Sequence, residues 1–183
     1  MWAEVGINPG VYMGLGPCAI NGVSFPVCST NANLNQRRFA VQALVLCPTR
    51  ELAEQVTQEV RRLARAEDHI KVLALCGGVP VRAQLASLEH GAHIVVGTPG
   101  RIMDHLERGS LKLDALNTLV LDEADRMLDM GFIDDIEKII AATPEARQTM
   151  LFSATLDGLV GKMARKITRD PRVILLAVGG LVL

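Results

Sequence analysis

No charge of one sign predominates in this sequence. Its 183 residues carry 19 Lys and Arg against 20 Asp and Glu, a formal net charge of -1. Such a balance excludes a basic coat, so any contact with nucleic acid must come from a few placed groups. Cysteine pairs are missing as well: Cys18, Cys28, Cys47 and Cys76 form no C-x-x-C, and Cys47 and Cys76 lie in apolar runs, where a buried thiol is the ordinary occupant. A reducing, cytoplasmic setting is the expectation. His90 and His93 make an H-x-x-H with no third ligand nearby and read as surface histidines rather than a metal site. No basic stretch leads into an uninterrupted apolar run at the N-terminus, and the run from Val173 to Leu183 is too short to span a bilayer. A soluble chain without membrane contact is expected.

What is present is apolar residue in quantity. At 49% hydrophobic content, the chain is sized for one globular domain with a substantial core. Residues 1–38 stand apart: Gly, Pro, Asn and Ser recur, no period is sustained, and the segment is expected to be irregular. From Phe39 onward, short aliphatic runs alternate with helical patterns. The runs are Ala43 to Cys47, Lys71 to Leu75, His93 to Val96, Thr118 to Leu121, Thr149 to Phe152 and Val173 to Leu176. The clearest helix is Glu51 to Arg65, with Leu52, Val56, Val60 and Leu63 on one face and Arg61, Arg62 and Arg65 near its C-terminal end. Strands that are apolar throughout are buried on both faces. The pattern therefore predicts an α/β fold, a parallel sheet with helices on both faces, and a ligand site at the carboxyl ends of the strands.

The residues at those ends are of a recognisable chemistry. Cys47 is followed by Pro48-Thr49-Arg50-Glu51, with Thr49 placed to cap a helix and Arg50 in its first turn, where amide donors and a guanidinium can meet one phosphate. Val96 is followed by Gly97-Thr98-Pro99-Gly100-Arg101, a second Thr cap with Pro at the first helical position and an Arg close behind. Either alone reads equally as a plain capped helix. Two on one sheet edge repeat an anion-binding geometry along a track. Gly77-Gly78 follows a third strand and permits close backbone approach to a ligand or a tight turn. Thr118 to Leu121 runs into Asp122-Glu123-Ala124-Asp125, which places one carboxylate to hold a hydrated Mg²⁺ and the next to deprotonate an attacking water; an acidic loop is the plainer alternative. Ser153-Ala154-Thr155 follows a further strand, with two hydroxyls within reach of Asp125.

Taken in order, "PTRELA" from Pro48, Gly77-Gly78, "TPGR" from Thr98, "DEAD" from Asp122 and "SAT" from Ser153 resemble the DEAD-box RNA helicase family. The similarity covers about residues 39–172, and Leu44 to Glu54 and Leu116 to Phe132 are most like the bacterial DbpA-type members, whose substrates are ribosomal RNAs. The resemblance implies a RecA-like domain using ATP and Mg²⁺ to unwind RNA. It assigns Asp122 to the Mg²⁺ site through water and Glu123 to the catalytic base, both at the nucleotide. Asp125, Ser153 and Thr155 would couple hydrolysis to strand separation. Thr49, Arg50, Gly78, Thr98, Gly100 and Arg101 would contact the backbone of single-stranded RNA.

The sequence also departs from that family. A glutamine-containing adenine motif and a G-x-x-x-x-G-K-[ST] loop should precede "PTRELA", and neither does. Gly161-Lys162 is followed by Met163 and comes after "SAT", so it does not substitute. The expected organisation is residues 1–38 in place of the adenine and phosphate motifs, a partial RecA-like domain over 39–177, and a tail at 178–183, with the second RecA-like domain absent. Aliphatic strands beside the missing phosphate-loop strand are expected to lack a partner. Three readings follow: an incomplete ATP-dependent RNA helicase, an inactive RNA-binding remnant, or a non-functional gene fragment.

Overall fold

A computed structural model describes residues 2–5, 18–20, 23–25, 34–35, 37–65, 69–156, 158–168 and 173–176. The elements after the first 38 residues are β4 (Ala43–Leu46), α1 (Arg50–Ala64), β5 (Val72–Leu75), α2 (Val81–Glu89), β6 (Ile94–Gly97), α3 (Pro99–Glu107), β7 (Thr118–Leu121), α4 (Ala124–Asp129), α5 (Ile133–Ala141), β8 (Gln148–Ser153), α6 (Gly158–Ile167) and β9 (Val173–Leu176). Before them come β1 (Trp2–Val5), β2 (Cys18–Ile20) and β3 (Val23–Phe25). The tail expected at 178–183 lies outside the described residues.

The five strands β5, β6, β4, β7 and β8 lie side by side, all parallel. Each presents apolar residues to both faces. In β4, Leu44 and Leu46 enter one core while Ala43 and Val45 enter the other. On the first side the sheet is covered by Ile102 of α3, Met127 of α4, Ile136 and Ile139 of α5, and Met163 of α6, of which Ile102, Met127, Ile136 and Ile139 are fully buried. On the other, α1 seals the sheet with Leu52, Ala53, Val56 and Val60, a stripe at helical spacing. Each such Leu or Val contributes about 1.5–3 kcal/mol by leaving water. The parallel sheet covered on both faces is the α/β arrangement that the apolar strands predicted.

The first 38 residues depart from the irregular segment read from their composition. Within them β2 and β3 form a small antiparallel pair, and β1 inserts between β8 and β9. β1 runs antiparallel to both, with Ala3 opposite Ser153 and Val5 opposite Leu151 on one side and Trp2 opposite Leu176 on the other. The edges expected to be bare are therefore paired. A strand edge presents unpaired amides and carbonyls that an extended segment of either direction can satisfy.

His93 also departs from expectation. It is fully buried rather than on the surface, and its Nδ1 accepts a hydrogen bond from the Lys71 amide at 3.0 Å. Its ring meets that of Phe39 at a centroid separation of 5.3 Å. Among the described residues no helix is long and apolar enough to cross a membrane.

Gly97 closes β6 where the backbone of β5 passes over it. A Cβ there would collide with the Leu75 carbonyl oxygen and press on Ile102 at 2.9 Å. Because the obstacle is backbone, Gly97→Ala is expected to cost roughly 1–3 kcal/mol, as overpacked cores do. Urea denaturation of the full chain measures it; an unchanged midpoint would contradict the close approach.

Candidate functional site

Parallel pairing sets the ends of the strands in one line. Leu46 is in register with Gly97 and Leu121, Gly97 with Leu75, and Leu121 with Leu151. The segments following these residues therefore share one edge of the sheet. The predicted residues Thr49, Arg50, Gly78, Thr98, Gly100, Arg101, Asp122, Glu123, Asp125 and Thr155 follow strand ends on that edge, and Ser153 is the last residue of β8.

Thr49 caps α1 as expected, its hydroxyl accepting the Leu52 amide at 3.3 Å. Arg50 is half exposed and pairs with Glu54 at 2.7 Å. Its guanidinium lies over Gly78, where any Cβ would collide with Nη1 and where φ is +77°. Thr98 stands at the N-cap of α3, but its side chain makes no cap hydrogen bond; it is the Thr98 carbonyl that receives the Arg101 and Ile102 amides. The two helix starts are thus not equivalent. Arg101 is turned inward with its side chain 15% exposed, and its Nη1 donates to the Val79 carbonyl at 3.0 Å and to Gln84 Oε1 at 2.7 Å. Gly100 has open space where a side chain would project.

Asp122 directly follows β7 and is buried. One of its oxygens accepts the Glu123 amide at 3.0 Å. Burial, reinforced by the neighbouring Glu123 charge, raises its pKa to about 6. The same surroundings push the Cys47 thiol well up, through burial first and the Asp122 charge second. Glu123 sits in the left-handed region, φ 49° and ψ 52°, at about 1–2 kcal/mol for a side-chain-bearing residue. Strain of this kind persists where the surroundings over-determine it, commonly at functional sites. Its carboxylate meets Arg126 at 3.1 Å. Asp125 reaches β8 by a different route from the one expected: its Oδ2 accepts the Ala154 amide at 3.2 Å, while the Ser153 hydroxyl accepts the Thr155 amide at 3.3 Å. The backbone of the tripeptide, rather than its hydroxyls, carries the contact.

One polar cluster escaped sequence reasoning. Gln84, 4% exposed, joins the Cys76 carbonyl, Arg101 and His105, and His105 in turn meets the Ser110 hydroxyl at 2.9 Å. Burial, then the Arg101 charge, lowers the His105 pKa. The signal was a polar residue in the stripe Val81, Gln84, Leu85, Leu88 of α2, where an apolar one belongs.

A doubly covered parallel sheet with acidic and cationic groups along its carboxyl edge is the arrangement of a ligand-binding α/β domain, here of the RecA-like kind found in a DEAD box protein of known structure. A family model described as DEAD/DEAH box helicase matches residues 24–162, and the chain belongs to that family. It is 57% identical over 136 residues to the ATP-dependent RNA helicase DbpA of Escherichia coli strain K12, covering 74% of this chain and 30% of that protein. It is 50% identical over 141 residues to the ATP-dependent RNA helicase CshA of Listeria monocytogenes, covering 77% and 27%. Among solved structures, a DEAD box protein from the hyperthermophile Methanococcus jannaschii matches with a TM-score of 0.70 at 38% identity, over 79% of this chain and 41% of that one. The chain thus spans under a third of the length of these curated relatives.

The buried carboxyl of Asp122 has a pH signature. Between its ordinary value of 3.8 and about 6, the folded chain holds a proton that the unfolded chain has released. Stability therefore falls as pH rises through that window, and above it the folded state carries the full cost of a buried charge. Asp122→Asn, whose amide oxygen can still accept the Glu123 N–H, is expected to stabilise the metal-free chain by up to ~3 kcal/mol at about pH 8. The gain should vanish near the ordinary carboxyl pKa. Thermal denaturation across pH checks this, and a gain independent of pH argues against the buried charge.

Proposed function

We propose that this chain is the first RecA-like domain of an ATP-dependent RNA helicase, and that its own competence is RNA-backbone binding rather than ATP turnover. The observation that carries the reading is the alignment of Arg50, Gly78, Arg101, Asp122 and Asp125 along one sheet edge. Asp122 fits a hydrated Mg²⁺: a desolvated carboxylate that forms no ion pair among the described residues gains by meeting a cation. Glu123 beside it is the candidate base. Asp125, held to the Ala154 amide, links the carboxylate turn to β8, so Ser153 and Thr155 are assigned to coupling rather than chemistry.

The triphosphate fits less well. The 183 residues contain no G-x-x-x-x-G-K-[ST] run to wrap it. A general base is worth about 10² to 10⁴ in rate, and an arginine finger from a second domain about 10³ to 10⁵. Neither acts on a nucleotide that does not bind. RNA-backbone binding is accordingly the competence proposed for these residues. Thr49, Arg50, Gly78, Thr98, Gly100 and Arg101 would meet phosphates and sugars, so binding should be indifferent to base sequence. Ribosomal RNA is the proposed target class, from the likeness to DbpA-type members, and a reducing cytoplasm suits the buried free thiols of Cys47 and Cys76.

Two outcomes test this. Calorimetry is expected to detect no ATP-Mg²⁺ binding, while single-stranded RNA binds weakly, loses affinity with salt, and is weakened for all sequences alike by Arg50→Ala. Micromolar ATP affinity, or strong discrimination between RNA sequences, defeats the reading. In a chimera whose first 38 residues are replaced by a family phosphate-loop segment and to which a second RecA-like domain is joined, RNA-stimulated ATP hydrolysis should return. There Glu123→Gln should keep nucleotide binding and remove at least about 10²-fold of turnover, because an amide cannot accept the proton.

A further inference from the structure

The proposed RNA track depends on two groups that do not hold themselves in place. Gly77 and Gly78 form a loop without side-chain anchors, and Arg101 is a long side chain that must be aimed. The carboxamide of Gln84 reaches both. Its Nε2 donates to the Cys76 carbonyl at 3.0 Å, where β5 ends and the glycine loop begins. Its Oε1 accepts from Arg101 Nη1 at 2.7 Å and lies 3.0 Å from His105 Nε2. Arg101 Nη1 donates in turn to the Val79 carbonyl at 3.0 Å, at the far end of the same loop.

The proton arrangement is forced. A carbonyl can only accept and a guanidinium can only donate, so the Gln84 nitrogen must face Cys76 and its oxygen Arg101. The oxygen then also accepts from His105, which fixes Nε2 as the protonated ring nitrogen. Nδ1 faces the Ser110 hydroxyl, which anchors the ring from behind. A buried amide with both of its ends engaged has one orientation, and it passes that orientation to Arg101 and to both ends of the loop.

We infer that Gln84 is a positioning residue for RNA binding, holding the Gly77–Val79 loop and the Arg101 guanidinium in one arrangement at the sheet edge. The inference rests on the proposed RNA-binding reading of that edge, and its test separates the two. Gln84→Met keeps the size of the side chain and removes both polar ends. Two measurements on the full chain follow: amide hydrogen exchange at Gly77, Gly78 and Val79, and affinity for oligouridylate and oligoadenylate of equal length. Expected are faster exchange confined to that loop and its neighbours, and RNA binding weakened about tenfold, the scale of one hydrogen bond to a charged group. Combined with Arg101→Ala, the loss should fall well short of the product of the two single effects, because the two act through one arrangement.

Multiplicative losses, or loop exchange unchanged by Gln84→Met, overturn the positioning role. If the unaltered chain binds no RNA, the functional reading fails and the RNA role of Gln84 with it, whereas loop exchange still judges its hold on the loop. Should Gln84→Met not fold, Gln84→Glu replaces it. That variant keeps an acceptor for Arg101 but loses the donor to Cys76, and the same rise in loop exchange is expected, with its absence overturning the inference.

Discussion

Covering a parallel sheet on both faces leaves its polar residues few places to go. Within β4 to β8 the side chains enter one or other of two apolar cores, and there a charge without a partner costs several kcal/mol. Polar chemistry is pushed to the strand ends. Because Leu46, Leu75, Gly97, Leu121 and Leu151 share a common register, the segments that follow them emerge together. Residues as far apart in sequence as Arg50 and Ser153 become occupants of one edge for that reason alone.

That edge is electrostatically divided. On the β7 side, Asp122 is desolvated and Glu123, in a strained backbone conformation beside it, pairs with Arg126. On the β5 and β6 side, Arg50 and Arg101 converge on the loop containing Gly78, one from the solvent side and one from within. Asp125 ties the acidic turn to the backbone after β8, so a movement of either would be felt by the other. Arg101, by contrast, is engaged with its own protein, and any part it takes in binding a polyanion is shared with keeping the loop in shape.

Much of the fold was legible in the sequence because burial on both faces writes itself as continuous aliphatic runs. The runs ending near Leu46, Leu75, Val96, Leu121 and Phe152 are strands within a residue or two of where they were expected. The common edge of the strand ends was legible too, since parallel strands in register end side by side. Less legible were contacts made by backbone atoms. The Asp125 bond goes to the Ala154 amide, which has no sequence signature, and Thr98 stands at an N-cap without its side chain making the cap bond. The pairing of β1 with β8 and β9 was not legible either, because it joins residues far apart in sequence.

By itself the sequence determined the layered α/β class, the order of the strand-end motifs and the family to which the chain belongs, because each depends on residue type at short spacing. Only the tertiary structure decided how those groups are used. Burial raised the Asp122 pKa, turned Arg101 inward onto Val79 and Gln84, and brought His105 and Ser110 into the same cluster. These are effects of desolvation and of donors meeting acceptors across distant elements. They arise when the sheet closes, and no run of neighbouring residues encodes them.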